Sequence, residues 1–136
     1  LVVKDDRILG EGHTLAPGEA HAEITALNQA GIAAKGATLY TTLEPCCHFG
    51  RTPPCTKSII KAGIREVKIV MLDPNPVVNG KGIAELKNAG IVVHIDDSVA
   101  DEAEEIAEAY LKFTSSGFPF VTAKFAMSLD GKIATA

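Results

Sequence analysis

Tryptophan is absent from this 136-residue sequence, and aromatic residues make up only 5% of it. Aliphatic side chains must therefore fill the core. Cysteine is scarce too. The three residues Cys46, Cys47 and Cys55 form an odd set with two of them adjacent. That is a poor disulfide framework and a plausible metal set in a reducing compartment, so a cytoplasmic location is expected. No apolar run approaches the roughly 18 residues needed to span a bilayer, and no signal peptide is visible. No basic run is present, and the net charge is −4. This weighs against nucleic acid as a partner. With 46% apolar and 22% charged residues, the chain has the balance of one globular domain with a real core.

Strand-like and helix-like segments alternate. Residues 1–4 and 7–12 read as a hairpin around Asp5-Asp6. A helix is expected from about His21 to Ala30, stopped by Gly31. Residues 38–43 are β-rich, and 44–52 form a polar loop. A helix with Thr52 as N-cap and Pro53 in its first turn runs to Gly63. A strand over 66–72, a Pro/Asn/Gly loop over 73–82, a helix over 83–89 and a strand over 91–95 follow. Asp97 or Ser98 can cap a helix over 99–113, whose acids crowd the first turns where the helix dipole favours them. Residues 115–117 look like a linker, and 120–125 like a new strand. The order predicts an α/β fold with helices on both faces of a mixed sheet.

Four residues carry chemistry. His21 and Glu23 stand at the start of one expected helix, Cys46 in the loop after the next strand, and Cys55 at the start of the following helix. One imidazole and two thiolates are three zinc ligands, which leave the fourth tetrahedral position open to water. Metal-bound water ionises near neutral pH, and Glu23 can move its protons. His-x-Glu followed by Pro-Cys-x-x-Cys is the pattern of nucleobase zinc deaminases. The first half matches here; in the second, eight residues separate the cysteines instead of two. Taken singly, a helix-initial His is usually a cap or surface residue, and a buried Cys needs no metal. His48 as a fourth ligand would close the site into a structural one. Glu23 argues against that, since a structural site has no use for a carboxylate two residues from its ligand. Cys47 has no evident ligand role.

The stretch His21-Ala22-Glu23 with Thr42-Leu43-Glu44-Pro45-Cys46-Cys47-His48-Phe49-Gly50-Arg51-Thr52-Pro53-Pro54-Cys55 resembles the deaminase of the riboflavin-biosynthesis deaminase/reductase family. Asp73-Pro74-Asn75-Pro76 and Gly80-Lys81-Gly82 extend the likeness over nearly the whole chain. In that family the eight-residue spacing is the normal form. The resemblance implies a cytidine deaminase-like three-layer α/β/α sandwich on a mixed five-stranded sheet. It implies zinc on His21, Cys46 and Cys55, with Glu23 as the catalytic proton shuttle. It also implies that His13, His48, Arg51, Asp73 and Asn75 bind substrate. The implied reaction is zinc-dependent hydrolytic deamination of diaminohydroxyphosphoribosylaminopyrimidine, a phosphorylated pyrimidine. A homo-oligomer is expected, with no nucleic-acid or membrane partner.

The ends fit the same resemblance. Residues 1–114 would form the deaminase domain, 115–118 a linker, and 119–136 the opening of a reductase domain. The tail residues Val121-Thr122-Ala123-Lys124 and 128–134 carry that likeness. The reductase's NADPH would bind outside this chain. Family members also carry a helix and an Asn-containing loop ahead of the first strand, where this sequence starts at Leu1. Two other readings compete: a deaminase of nucleic-acid bases, which the acidic balance opposes, and a non-catalytic module stapled by zinc.

Overall fold

A computed structural model describes residues 1–133. Its centre is one five-stranded sheet in the order β2-β1-β3-β4-β5. Strand β1 (Val2–Lys4) and β2 (Arg7–Gly10) form the expected hairpin. Asp5 and Asp6 both have positive φ, 50° and 57°. That pair of values marks a type I′ turn, whose twist suits a two-residue hairpin. β1 also pairs antiparallel with β3 (Thr38–Leu43). β3, β4 (Glu66–Met71) and β5 (Val92–Ile95) run parallel. Since β2 and β3 are both antiparallel to β1, they point the same way. The exits of β2, β3 and β4 therefore lie along one edge of the sheet, where ligands gather in open α/β folds.

Helices α1 (Ala22–Ala30), α2 (Cys55–Ala62) and α3 (Lys81–Asn88) form one layer. The two parallel crossovers are right-handed by the usual rule, which puts α2 and α3 on the same face. Leu39, Val67 and Ile69 alternate onto this face and meet Leu27, Ile59 and Leu86 in a largely aliphatic core that also holds Cys55. Helix α4 (Ala100–Ser116) meets β4 from the other side, and Ala103 is its buried residue. On that second face Lys68 Nζ stands 5.3 Å from the centre of the Tyr40 ring. The result is the cytidine deaminase-like α/β/α arrangement.

Local boundaries differ from the sequence reading for physical reasons. Helix α2 starts at Cys55 with Pro54 as N-cap, two residues beyond the expected cap Thr52. A residue before proline is pushed out of the α region. The tandem Pro53-Pro54 imposes this on both Thr52 and Pro53. Helix α3 starts at Lys81, two residues before the expected Ile83. A 3₁₀ turn over Asp97–Val99 precedes α4, and Asp96 Oδ1 accepts from Ser98 N at 3.2 Å, taking the capping role given to Asp97 or Ser98. Helix α4 passes the expected end at Phe113 and closes at Gly117, which has the left-handed φ of a C-terminal cap. The strand expected over 120–125 does not form. Phe120, Val121 and Phe125 are exposed there, and a strand with no neighbour cannot satisfy its backbone. Ala134, the last residue of the tail motif, lies outside the described residues.

Candidate active site

The site forms where three chain segments reach the same sheet edge. The first leaves β2 and enters α1. Glycine lets them touch: a Cβ on Gly12 would fall 2.4 Å from the Ala22 carbonyl oxygen. This close approach fixes the first turn of α1 against the strand exit. His21 is the N-cap, with extended backbone (φ −73°, ψ 162°). Because His21 lies outside the helix, the i, i+2 spacing does not send Glu23 away from it as a helical spacing would.

The second segment leaves β3, and the third is the start of α2. Pro54, the N-cap of α2, offers no capping side chain. The orphan amides of the first turn are taken by Cys46 instead. Cys55 N donates to Cys46 Sγ at 3.3 Å, and Thr56 N donates to Cys46 O at 3.2 Å. Helix capping and placement of the cysteine are thus one event. His21 Nδ1 lies 3.6 Å from Cys46 Sγ and 3.3 Å from Cys55 Sγ. The three candidate ligand atoms all lie within 4.8 Å of one another. The other ring nitrogen, His21 Nε2, is 3.4 Å from Thr52 Oγ1. A proton on Nε2 would leave the Nδ1 lone pair facing the sulfurs, the arrangement that outer-shell partners enforce on metal-binding histidines.

The electrostatics suit a cation. The hydrogen bond from the Cys55 thiol holds the Cys46 thiol down at about 5, with further help from backbone Cys55 N and from His21. Cys55 is pushed up by Cys46 and by its own burial. Two sulfurs side by side, one of them held toward the thiolate, suit a divalent ion. Burial pushes the Glu23 carboxyl above the usual carboxylate range, partly offset by hydrogen bonds from its own backbone and from Cys55. Cys46, His21 and Cys55 all act on its charge.

The remaining candidates are placed as follows. His13 is exposed in the loop between β2 and α1, and Arg51 is exposed in the loop before α2. His48 is half-buried, and its Nδ1 is buried with no hydrogen-bond partner among the described residues. Asp73 is 5% exposed, just beyond β4. Its Oδ1 accepts from Asn75 N at 2.9 Å and from the Tyr110 hydroxyl at 2.8 Å. Cys47 Sγ lies 3.9 Å from Val77 O, apart from the ligand cluster. Sequence reasoning missed Tyr110 and the buried Glu44. Tyr110 falls inside the helix expected over 99–113, and nothing around it in the sequence marks Asp73 as its partner. Glu44 stood inside the motif, but nothing local marked its partners.

Comparison with known proteins agrees with this geometry. The family model for the cytidine and deoxycytidylate deaminase zinc-binding region matches residues 1–71. Riboflavin biosynthesis protein RibD of Aquifex aeolicus is 51% identical over 135 residues, 99% of this chain and 38% of that protein. A crystal structure from Thermotoga maritima, described as a diaminohydroxyphosphoribosylaminopyrimidine deaminase/5-amino-6-(5-phosphoribosylamino)uracil reductase, is 45% identical. It superposes with a TM-score of 0.86 over 98% of this chain and 38% of its own. The Aspergillus oryzae Rib2 deaminase in complex with DARIPP is 26% identical, with a TM-score of 0.61, covering 75% of this chain and 67% of that one. This chain thus spans well under half the length of its RibD relatives. It belongs to the cytidine and deoxycytidylate deaminase family, on the branch of the RibD deaminase domain.

Proposed function

We propose that this chain is a zinc-dependent deaminase of the riboflavin pathway. It would remove an amino group from diaminohydroxyphosphoribosylaminopyrimidine by hydrolysis. The observation that carries the reading is the convergence of His21 Nδ1, Cys46 Sγ and Cys55 Sγ within 4.8 Å of one another, with Glu23 in the first turn of the helix that His21 caps. The donor set fits zinc: one imidazole nitrogen and two sulfurs, one of them already disposed to be a thiolate. His21, Cys46 and Cys55 would hold the ion. When bound there, zinc supplies Lewis acidity and brings the pKa of a water toward neutrality.

The chain's own residues would do the rest. Glu23 would take one proton of the attacking water and deliver it to a ring nitrogen, then take the second and deliver it to the leaving amine. A raised carboxyl pKa helps, because the group can hold that proton closer to neutral pH. The C–N bond is replaced by a C–O bond from water, and ammonia leaves. Thr52 keeps the His21 ring oriented. Asp73 and Asn75 present donors and acceptors to the pyrimidinone edge. His48 Nδ1, buried without a hydrogen-bond partner among the described residues, would serve a ligand atom. Arg51 and His13 supply donors for the ribose phosphate. Residues 119–136 would open an NADPH-dependent reductase domain, as the two activities named for the Thermotoga relative suggest.

Ammonia release by the zinc-loaded, full-length parent protein tests this reading. Turnover of the phosphorylated diaminopyrimidine and none of cytidine or RNA is expected. Comparable turnover of cytidine or RNA would overturn it.

A further inference from the structure

Glu44 is a carboxylate 3% exposed, and the proposed chemistry gives it no task. It ends β3 beside Pro45-Cys46, and its own amide donates to Met71 O at 3.0 Å. Its side chain crosses to the segment joining β4 to α3. Oε2 accepts from Gly80 N at 2.9 Å and from Asp73 N at 3.4 Å, and Oε1 accepts from Ile83 N at 3.0 Å. Two of these donors belong to the start of α3, whose N-cap Gly80 has no side chain to serve them. Glu44 is therefore a cap supplied from another element, with its charge at the positive end of the helix. Capping alone does not account for the third donor, Asp73 N, at the far end of the segment. The segment is also pressed onto Glu44 and Pro45. A Cβ on Gly82 would fall 2.2 Å from Pro45 O and 3.1 Å from Glu44 Oε1.

One carboxylate thus ties both ends of the 73–83 segment to the strand end that carries Cys46. We propose that Glu44 is a positioning residue for substrate: it sets Asp73 and Asn75 at a fixed distance from the His21–Cys46–Cys55 cluster. This rests on the deaminase reading above. The side chain touches neither substrate nor the reacting atoms. Its effect passes through the backbone of Asp73 and through the start of α3.

The test is Glu44→Gln in the zinc-loaded, full-length protein. The amide keeps one acceptor and turns an NH₂ toward backbone donors. Zinc content and circular dichroism should be unchanged, KM should rise about tenfold, the equivalent of one lost hydrogen bond, and kcat should change less. Glu44→Asp keeps the charge with a shorter reach and should recover part of the loss. A merely structural carboxylate would instead lower the active fraction, so a fallen kcat with unchanged KM would overturn the proposal. If Glu44→Gln does not fold, Glu44→Asp carries the test, with raised KM expected. Unchanged KM, or failure of both variants to fold, would reduce Glu44 to scaffold. Absence of turnover in the unmodified protein would count against the deaminase reading itself. The brace is then read from amide exchange at Asp73, Gly80 and Ile83, slow in the unmodified protein and fast in Glu44→Gln. Fast exchange in both would overturn it.

Discussion

His21 illustrates how much one residue's setting decides. As an N-cap with extended backbone, it can share a direction with Glu23, which a helical residue could not. The order of His21, Glu23, Cys46 and Cys55 along the chain made their convergence legible, because each follows a strand exit or starts a helix. What the order could not show was Thr52 turning from a helix cap into a partner of His21 Nε2. That followed from the two prolines after it. Thr52→Val keeps the shape and removes the hydroxyl. Zinc affinity, measured by competition with a chelator, should fall by about tenfold, the low end for lost outer-shell support. Glu23→Gln should keep zinc and lose activity by roughly 10²–10⁴, the usual worth of general acid–base catalysis. Zinc loss in that variant would make Glu23 a ligand or a support instead. Tyr110→Phe removes the hydroxyl from Asp73 Oδ1. Substrate KM should rise, and denaturant unfolding should show at most about 1 kcal/mol lost, since Tyr110 is partly solvent-exposed.

Among the elements, β3, β4 and the bodies of the first three helices could be read from residue type and glycine stops, because each sets apolar side chains into the core. The end of α4 could not be read. Its termination depends on Gly117 adopting a left-handed conformation, and Ser115 and Ser116 looked like linker residues by type. Both hydroxyls instead turn back onto helix carbonyls, at 2.7 Å for Ser115 to Leu111 O and 2.6 Å for Ser116 to Lys112 O. The tail strand was misread because β-rich composition needs a pairing partner to become a strand. Contact between elements also sets the site. Gly12→Ala would place a methyl against the Ala22 carbonyl of α1, one residue from His21. Overpacking of this kind costs about 1–3 kcal/mol. The first turn of α1 should move off the strand exit, so both the melting temperature and zinc affinity should fall. A Gly12→Ala protein with unchanged zinc affinity would show that this contact does not set the position of His21.

Taken whole, the molecule is a single sheet with a well-filled aliphatic face toward α1–α3 and a second face met by α4. Among the described residues, no helix is long and apolar enough to cross a membrane. Cys55 belongs to the aliphatic core as well as to the candidate metal cluster, so metal and fold should be linked. Free zinc at a hundred times its dissociation constant should stabilise the protein by about 2.7 kcal/mol, seen as a melting temperature that rises with zinc and falls with chelator. The proposed chemistry rests on an open centre with three protein ligands. X-ray absorption at the zinc edge, with the metal counted per chain, tests it most directly. One zinc per chain is expected, with two sulfurs at about 2.3 Å, one imidazole nitrogen at about 2.0–2.1 Å, and one light atom that is not from the protein. A protein without zinc, or a centre with a third sulfur or a second imidazole from Cys47 or His48, would contradict it.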